Sequence, residues 1–376
     1  MRAAMIYVNA GKGHYVPAKA LADSMNGEGH VATVEDLFVI CEAPFWEWYC
    51  KYEWRFMLHH PRLERINHSI DDTKVSAALI RYFSVHTQVR KHFLAWYEKT
   101  KPDFIVCTNF LGGNIITPIV QSLKLDIPVF SYAADAFNNP TAGYNKAIDL
   151  LYIPTFIGKE LVIAKGQPAD KVKVCPFPLQ SGIQKLKPLT KQEAREKLGL
   201  QDTFTVLLNF GGEGIGNTDF LEEVAKRGLN WQVVVVGKLS MTTAFKFSLF
   251  LEKHPLFNLK TPGFVDNIGE YIYACDIQAG KAGANSLMES LALKRPFLVS
   301  NLLYAARDTG SFLNKHKVGW VEDNVKKQVD IVEHYFGDRQ EQIAMSERFS
   351  QLPLQFDSEA FIHMIFEDVK AFKAGK

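Results

Sequence analysis

The sequence predicts an α/β protein made of two Rossmann-like halves, each a parallel sheet wrapped by helices. Three observations carry this expectation. Short apolar runs alternate with helical periodicity from the first residues onward. The pattern restarts after Pro178. The chain has 376 residues, enough for two domains with a core each.

In the first half, Met5 to Val8 reads as a buried strand. Gly11-Lys12-Gly13 turns the chain, Pro17 suits the first turn of a helix, and Ala18, Leu21, Ala22 and Met25 recur at helical spacing. Val31 to Val34, Phe104 to Cys107 and Pro128 to Tyr132 read as the next strands. In the second half, the strand Thr203 to Leu208 leads into Gly211-Gly212-Glu213-Gly214-Ile215-Gly216. Phe220, Leu221, Val224 and Ala225 then mark a helix. Gln232 to Val236, Asp276 to Ala279 and Phe297 to Ser300 continue the series of strands. Gln180 to Lys191, lysine-rich and holding Pro188, reads as the linker. The expected domains are 1–179 together with a final helix in 356–376, and 180–355.

Composition excludes several function classes. A hydrophobic content of 47% with 22% charged residues is ordinary for a soluble globular protein, and a net charge of +2 argues against bulk attraction to nucleic acid. Cys41, Cys50, Cys107, Cys175 and Cys275 are scattered and form no C-x-x-C pair. Neither a zinc site nor a disulfide framework is expected, and a cytoplasmic location is. The N-terminus runs directly into a strand and shows no leader-like apolar region. No apolar run approaches the roughly 18 residues that span a bilayer.

Chemistry concentrates in Cys275 to Asp308. A short apolar run ends at Gly280-Lys281-Ala282-Gly283, a helix follows, and Glu289 is expected one turn into it. Helix N-termini expose N–H groups and a partial positive charge, so the groups around Gly283, Ala284, Asn285 and Ser286 suit a diphosphate. Glu289 is flanked by Leu287, Met288, Leu291 and Ala292. A glutamate on so apolar a helix needs a partner, and a ribose diol offers two hydrogen-bond donors. The alternative is an ordinary glycine turn followed by a solvated glutamate.

Lys281, Gly283, Ser286 and Glu289, with the glycine turn 211–216, Gly263-Phe264-Val265 and Gly11-Lys12-Gly13-His14, resemble the monogalactosyldiacylglycerol synthase and processive diacylglycerol glucosyltransferase family. The resemblance is strong from about Thr205 to Asp308 and weak between Cys41 and Arg90. It implies the GT-B arrangement, two Rossmann-like domains facing across a cleft, with the C-terminal helix crossing back to the first domain. It implies that Gly212 and Gly214 line the donor side and that Phe264 and Val265 hold uracil. Lys238 falls where relatives carry a basic residue near the diphosphate, although a surface lysine reads equally well. His14, at the C-terminal edge of the first strand, matches the family's G-x-G-H histidine. An imidazole with an ordinary pKa near 6.5 suits a general base. Gly13 of the same motif lies on the acceptor side. Asp135 matches an aspartate that orients the histidine or serves as base itself; a turn cap is the alternative.

The sequence also departs from the family. Its Gly-Gln-Glu for donor-sugar hydroxyls becomes Ala306-Arg307-Asp308, and Asn109 stands where many relatives have histidine. Asn138-Asn139-Pro140-Thr141 replaces a histidine- and tryptophan-bearing segment. The segment Phe45 to Phe56 reads FWEWYCKYEWRF. On a helix, Phe45, Trp48, Tyr49, Tyr52 and Phe56 share a face, beside Lys51 and Arg55. Such a face suits an anionic membrane surface or a lipid acceptor, with Trp48 and Phe56 as contacts; core packing and a dimer contact are the alternatives. The expected activity is inverting transfer of a hexose from a UDP-sugar to a hydroxyl acceptor, most simply a membrane glycerolipid, with neither metal nor cofactor. A UDP-sugar epimerase and a non-catalytic nucleotide-sugar-binding protein are the alternatives.

Overall fold

The computed structural model describes residues 1–212, 214 and 218–375. Glu213, Ile215 and Gly216 of the glycine-rich turn lie outside the described residues. The chain divides into two compact units, 1–184 with 353–376, and 185–352. Each holds a six-stranded parallel sheet flanked by helices. Both units are Rossmann-like.

The first unit contains β1 (Arg2–Tyr7), β2 (Val31–Asp36), β3 (Phe104–Cys107), β4 (Val129–Tyr132), β5 (Leu150–Ile153) and β6 (Val172–Val174), in the order β2-β1-β3-β4-β5-β6. Its central strands β3 and β4 are buried at every residue because both faces of the sheet are covered there. Ala3 and Met5 pack on one face with Ala18, Leu21 and Met25, whereas Ala4 and Ile6 pack on the other with Phe93, Ile116 and Ile119. The final helix, Ser358–Ala374, completes the first of these cores with Phe361, Ile362, Ile365 and Phe366. Each such side chain contributes about 1.5–3 kcal/mol by burial. Asp368 on this helix accepts a hydrogen bond from the Tyr152 hydroxyl at 2.7 Å and pairs with Lys173.

The second unit contains β7 (Thr205–Asn209), β8 (Gln232–Val236), β9 (Leu259–Gly263), β10 (Ile277–Lys281), β11 (Phe297–Asn301) and β12 (Gly319–Val321), in the order β12-β11-β10-β7-β8-β9. This is the 3-2-1-4-5-6 order of a doubly wound sheet. The structure adds β5, β6, β9 and β12 to the strands expected from sequence. Three of them are weak signals: β6 and β12 have three residues each, and β9 reads Leu-Lys-Thr-Pro-Gly on a sheet edge, where proline is tolerated.

Two local expectations change. The first long helix runs Lys12–Gly27 from Gly11, whose φ is +88°, so Pro17 sits inside it rather than in its first turn and removes the N–H that Gly13 would receive. The linker is also shorter than expected. Ser181–Gln184 forms a helical turn of the first unit, and Thr190 with Glu193 makes a capping box that opens the helix Lys191–Leu198.

Between β2 and β3 lie the helices Pro44–Leu58, Pro61–Asp71, Lys74–His86 and Val89–Thr100. Prolines at the first positions start two of them, and the Thr73 side chain caps a third. No helix among the described residues is long and apolar enough to cross a membrane.

Candidate functional site

In open α/β sheets, ligands collect at the C-terminal ends of strands where the strand order reverses. Each unit has one such point. In the second unit it lies between β7 and β10. There Asn209 ends β7, and its Oδ1 accepts from the Gly211 N–H at 2.9 Å. Its Nδ2 donates to Ser286 Oγ at 3.4 Å, tying the glycine turn to the helix that follows β10.

The loop after β8 is locked onto the same corner. The Lys238 N–H donates to the Gly211 carbonyl at 2.9 Å. A Cβ at Gly237 (φ +114°) would lie 2.6 Å from the Gly211 nitrogen, and one at Gly214 (φ +71°) would lie 2.6 Å from the Lys238 carbonyl oxygen. Only glycine fits both positions. The side chain of Lys238 is exposed, and that of Lys281 reaches over Gly211.

The helix after β10 runs Ala284–Ala292, with Gly283 as its N-cap and no side chain capping it. The space beside Gly283 is open to an added Cβ. The N–H groups of Ala284, Asn285 and Ser286 therefore emerge at a helix end that an anion can approach. Glu289 is the sixth residue of this helix, about one and a half turns in rather than one, and is only 5% exposed. Phe264 follows β9 and is 64% exposed, with Val265 half-buried beside it.

Arg307 and Asp308 occupy the first turn of the helix Arg307–His316. The Arg307 guanidinium stacks over the Tyr304 ring at 4.2 Å and donates to the Tyr304 carbonyl at 2.9 Å. If this pair sets the donor sugar, Arg307→Gln with Asp308→Glu changes the preference among UDP-sugars and leaves UDP affinity alone. Competition assays with several UDP-sugars check this. A collapse in UDP affinity with unchanged preference would make Arg307 a phosphate clamp instead.

In the first unit the strand order reverses between β1 and β3. His14 is the third residue of the helix that follows β1, and its Nδ1 lies 3.0 Å from the Thr108 carbonyl after β3. A carbonyl only accepts, so Nδ1 carries the hydrogen and Nε2 is left as the basic nitrogen. Thr108 clamps the residue a second time, its Oγ1 donating to the His14 carbonyl at 2.7 Å. Asp36, whose carboxylate accepts from the Asn9, Phe38 and Val39 N–H groups, holds the loop that leads to His14.

Asp135 follows β4 and lies near enough for its charge to act on the imidazole. Burial pushes the His14 pKa below its ordinary 6.5, and Asp135 and the Thr108 carbonyl only partly oppose this. Burial likewise raises the Asp135 carboxyl, against the lowering by His14 and His68. The imidazole is thus held neutral at pH 7, the state a base requires.

The orienting partner of His14 is the Thr108 carbonyl, which accepts from Nδ1–H and which no motif singles out. Asn109 has a structural duty, since it caps the helix Phe110–Ser122 by accepting from the Leu111 N–H at 2.8 Å. Gly13 is exposed, with open space beside its Cα. Trp48 and Phe56 are 55% and 50% exposed. Phe45, Trp46, Tyr49 and Tyr52 are exposed too, so these aromatic side chains do not pack into the unit's core. The helix Pro44–Leu58 buries only Leu58.

An open pocket of about 340 Å³ in the second unit lies at the opposite, N-terminal end of the strands, beside Thr203, Phe204 and Asp276. Its Arg195 is already held by Asp276 and Asp202, which marks a structural seam.

No family model matches the chain. It is 22% identical over 372 residues to the chloroplastic monogalactosyldiacylglycerol synthase of Spinacia oleracea, covering 90% of this chain and 66% of that one. It is 25% identical over 312 residues to the processive diacylglycerol beta-glucosyltransferase of Bacillus cereus, covering 77% and 73%. The chain thus spans just under two thirds of the length of the plant relative. Solved structures share the fold. MurG of Acinetobacter baumannii aligns over the full length of both chains with a TM-score of 0.63 at 13% identity. HepE of Anabaena in complex with UDP aligns over 99% and 100% with 0.61 at 12%. The UDP-GlcNAc 2-epimerase of Neisseria meningitidis aligns over 99% and 100% with 0.60 at 14%. The fold is GT-B, and the chain fits a divergent member of the glycolipid synthase family.

Proposed function

We propose that this protein transfers a hexose from a UDP-sugar to a hydroxyl acceptor with inversion, and that the acceptor is a membrane glycerolipid such as diacylglycerol. The observation that carries this reading is the placement of His14, with Nδ1 held by the Thr108 carbonyl and Nε2 left to accept a proton. The similarity to glycolipid synthases supports the substrate class.

In the reaction, Nε2 of His14 takes the proton of the acceptor hydroxyl as its oxygen bonds to the anomeric carbon. The bond from that carbon to the diphosphate breaks, and its electron pair leaves with UDP. The second unit binds the donor. N–H groups at Ala284 to Ser286, the dipole of their helix and Lys238 stabilise the departing diphosphate, Glu289 takes the ribose, and Phe264 with Val265 takes the uracil. Gly212 and Gly214 shape the donor-side turn, while Gly13 and Asn109 lie on the acceptor side. No metal or other cofactor is required.

The test is incubation with a panel of UDP-sugars and total lipid extract, read by mass spectrometry. A new glycolipid together with released UDP is the expected result. Isomerised UDP-sugar without acceptor would make the protein an epimerase, and UDP binding without turnover would make it a binding protein.

The proposed location is the cytoplasm, attached peripherally to membrane through the exposed face of Pro44–Leu58. Burying Trp48 or Phe56 in an interface contributes about 1.5–3 kcal/mol apiece. Lys51 and Arg55 each add about 1 kcal/mol near an anionic surface. Co-sedimentation with anionic liposomes is expected to weaken at high salt. It should fall further when Trp48 and Phe56 become serine, with UDP binding retained. A wild-type protein that ignores such liposomes and glycosylates only a soluble acceptor would overturn the lipid reading.

A further inference from the structure

We infer that the ion pair Asp72–Lys165 is a positioning device for the His14–Asp135 site, by which the helices inserted between β2 and β3 hold the base in its working state. The inference rests on the reading of His14 as the base.

The chain from Ala136 to Asn145, immediately after Asp135, is buried throughout yet has only one helical turn, Thr141–Gly143. A buried loop must find partners for its polar groups. Asp72 supplies several. Its Oδ1 accepts from the Thr141 N–H at 3.0 Å and from the Thr141 hydroxyl at 2.7 Å. Lys165 bridges Asp72, at 2.9 Å, to Asn138 Oδ1, also at 2.9 Å. On the loop's other flank, Arg81 donates to the Tyr144 carbonyl at 2.9 Å, and Asn114 to the Ala142 carbonyl at 2.6 Å. Two of these anchors, Asp72 and Arg81, come from the inserted helices.

The contact is consequential because of what lies next to it. Ala136, adjacent to Asp135, has φ +60°, a conformation that a non-glycine residue keeps only when its surroundings enforce it. Thr155 fixes it by donating to the Ala136 carbonyl at 2.7 Å. Asp72 closes the helix Pro61–Asp71, and its N–H donates to the His68 carbonyl one turn back. His68 in turn acts electrostatically on Asp135. The helix end that bonds the loop therefore also faces the dyad.

The charged and titratable neighbours are few. Asp72 faces Lys165, with Asp71 and Tyr144 also within its field. Asp135 faces His14 and His68, and acts on Tyr132. His14 faces Asp135 and the Thr108 carbonyl. The ion pair is itself mostly buried, with side-chain exposures of 21% for Lys165 and 19% for Asp72. Breaking it loosens the loop and widens the access that water already has to the half-buried dyad. Burial is the main cause of the low His14 pKa, so hydration returns that pKa toward 6.5.

The experiment compares Asp72→Asn, Lys165→Met and Lys165→Arg with wild type. Lys173→Met serves as a control, because it breaks the separate pair with Asp368. The His14 midpoint is read by NMR on histidine-labelled protein, and turnover and UDP affinity are measured alongside. In Asp72→Asn and Lys165→Met the midpoint should rise by about 0.5 pH unit or more. Turnover should fall by about tenfold, with UDP affinity within about twofold of wild type. Lys165→Arg should recover most of both changes, and Lys173→Met should alter neither. A fall in turnover with a fixed His14 midpoint assigns the pair a purely structural role and overturns the inference, as does no change in either. If wild type transfers sugar to no acceptor, the base reading fails. The NMR midpoint, which needs no activity, then decides alone whether the pair governs the imidazole.

Discussion

Replacing His14 by alanine is expected to lower turnover by roughly 10²–10⁴ and to leave UDP affinity nearly unchanged. The variant removes the proposed proton acceptor, Nε2, whose partner nitrogen is committed to the Thr108 carbonyl. UDP affinity is expected to be spared because His14 belongs to the first unit and the proposed donor residues to the second. Single-turnover kinetics and calorimetry check the two halves. Near-normal turnover in the folded variant would transfer the role to Asp135.

The pH dependence has a definite sign. His14 has a pKa below its ordinary 6.5, so the imidazole stays neutral until the medium is more acidic than that. Wild-type activity should therefore hold near pH 7 and fall only as pH drops through a midpoint under 6.5. This midpoint belongs to the coupled His14–Asp135 pair. The same depression makes a stability statement. Below 6.5 the unfolded chain binds a proton at this residue more readily than the folded one, so acidification destabilises the fold through His14, while above 6.5 the residue contributes no such loss. Melting curves at pH 7 and pH 5 should converge slightly in His14→Ala relative to wild type.

Glu289→Ala is expected to weaken UDP binding by at least about tenfold. Two hydrogen bonds from a ribose diol to a carboxylate are worth roughly 1.5–3 kcal/mol each, with strong non-additivity, so tenfold is a conservative floor. Only 5% of Glu289 is exposed, so a change there also disturbs its helix, and the folded state must be confirmed by its melting curve. Binding of uridine and of inorganic pyrophosphate separates the contributions. Uridine affinity should fall with that of UDP, whereas pyrophosphate affinity should hold. Unchanged UDP affinity in a folded variant would remove the donor-site reading.

The sequence carried the two-sheet architecture because strands buried on both faces must be apolar runs, and Met5 to Val8, Phe104 to Cys107, Pro128 to Tyr132 and Gln232 to Val236 read that way. Glycine turns after β1 and β7 were equally legible, since Gly11 and Gly214 take φ values of +88° and +71°, a region that favours glycine. The exposed aromatic face of Pro44–Leu58 also followed from spacing alone, although its exposure did not: helical periodicity groups side chains without saying what lies opposite them.

What only the tertiary structure decided was which distant residues meet. Thr108 reaches His14 because β3 pairs beside β1, and nothing in the sequence between them encodes that adjacency. The contacts of Asp72 with Thr141 and Lys165 likewise join segments far apart in the chain. Local sequence fixes backbone dihedrals and the periodicity of apolar faces. Hydrogen-bond partners and pKa shifts depend on burial and on neighbours brought in by strand order, so the glycine turns of the second unit could be read from the sequence while the surroundings of His14 could not.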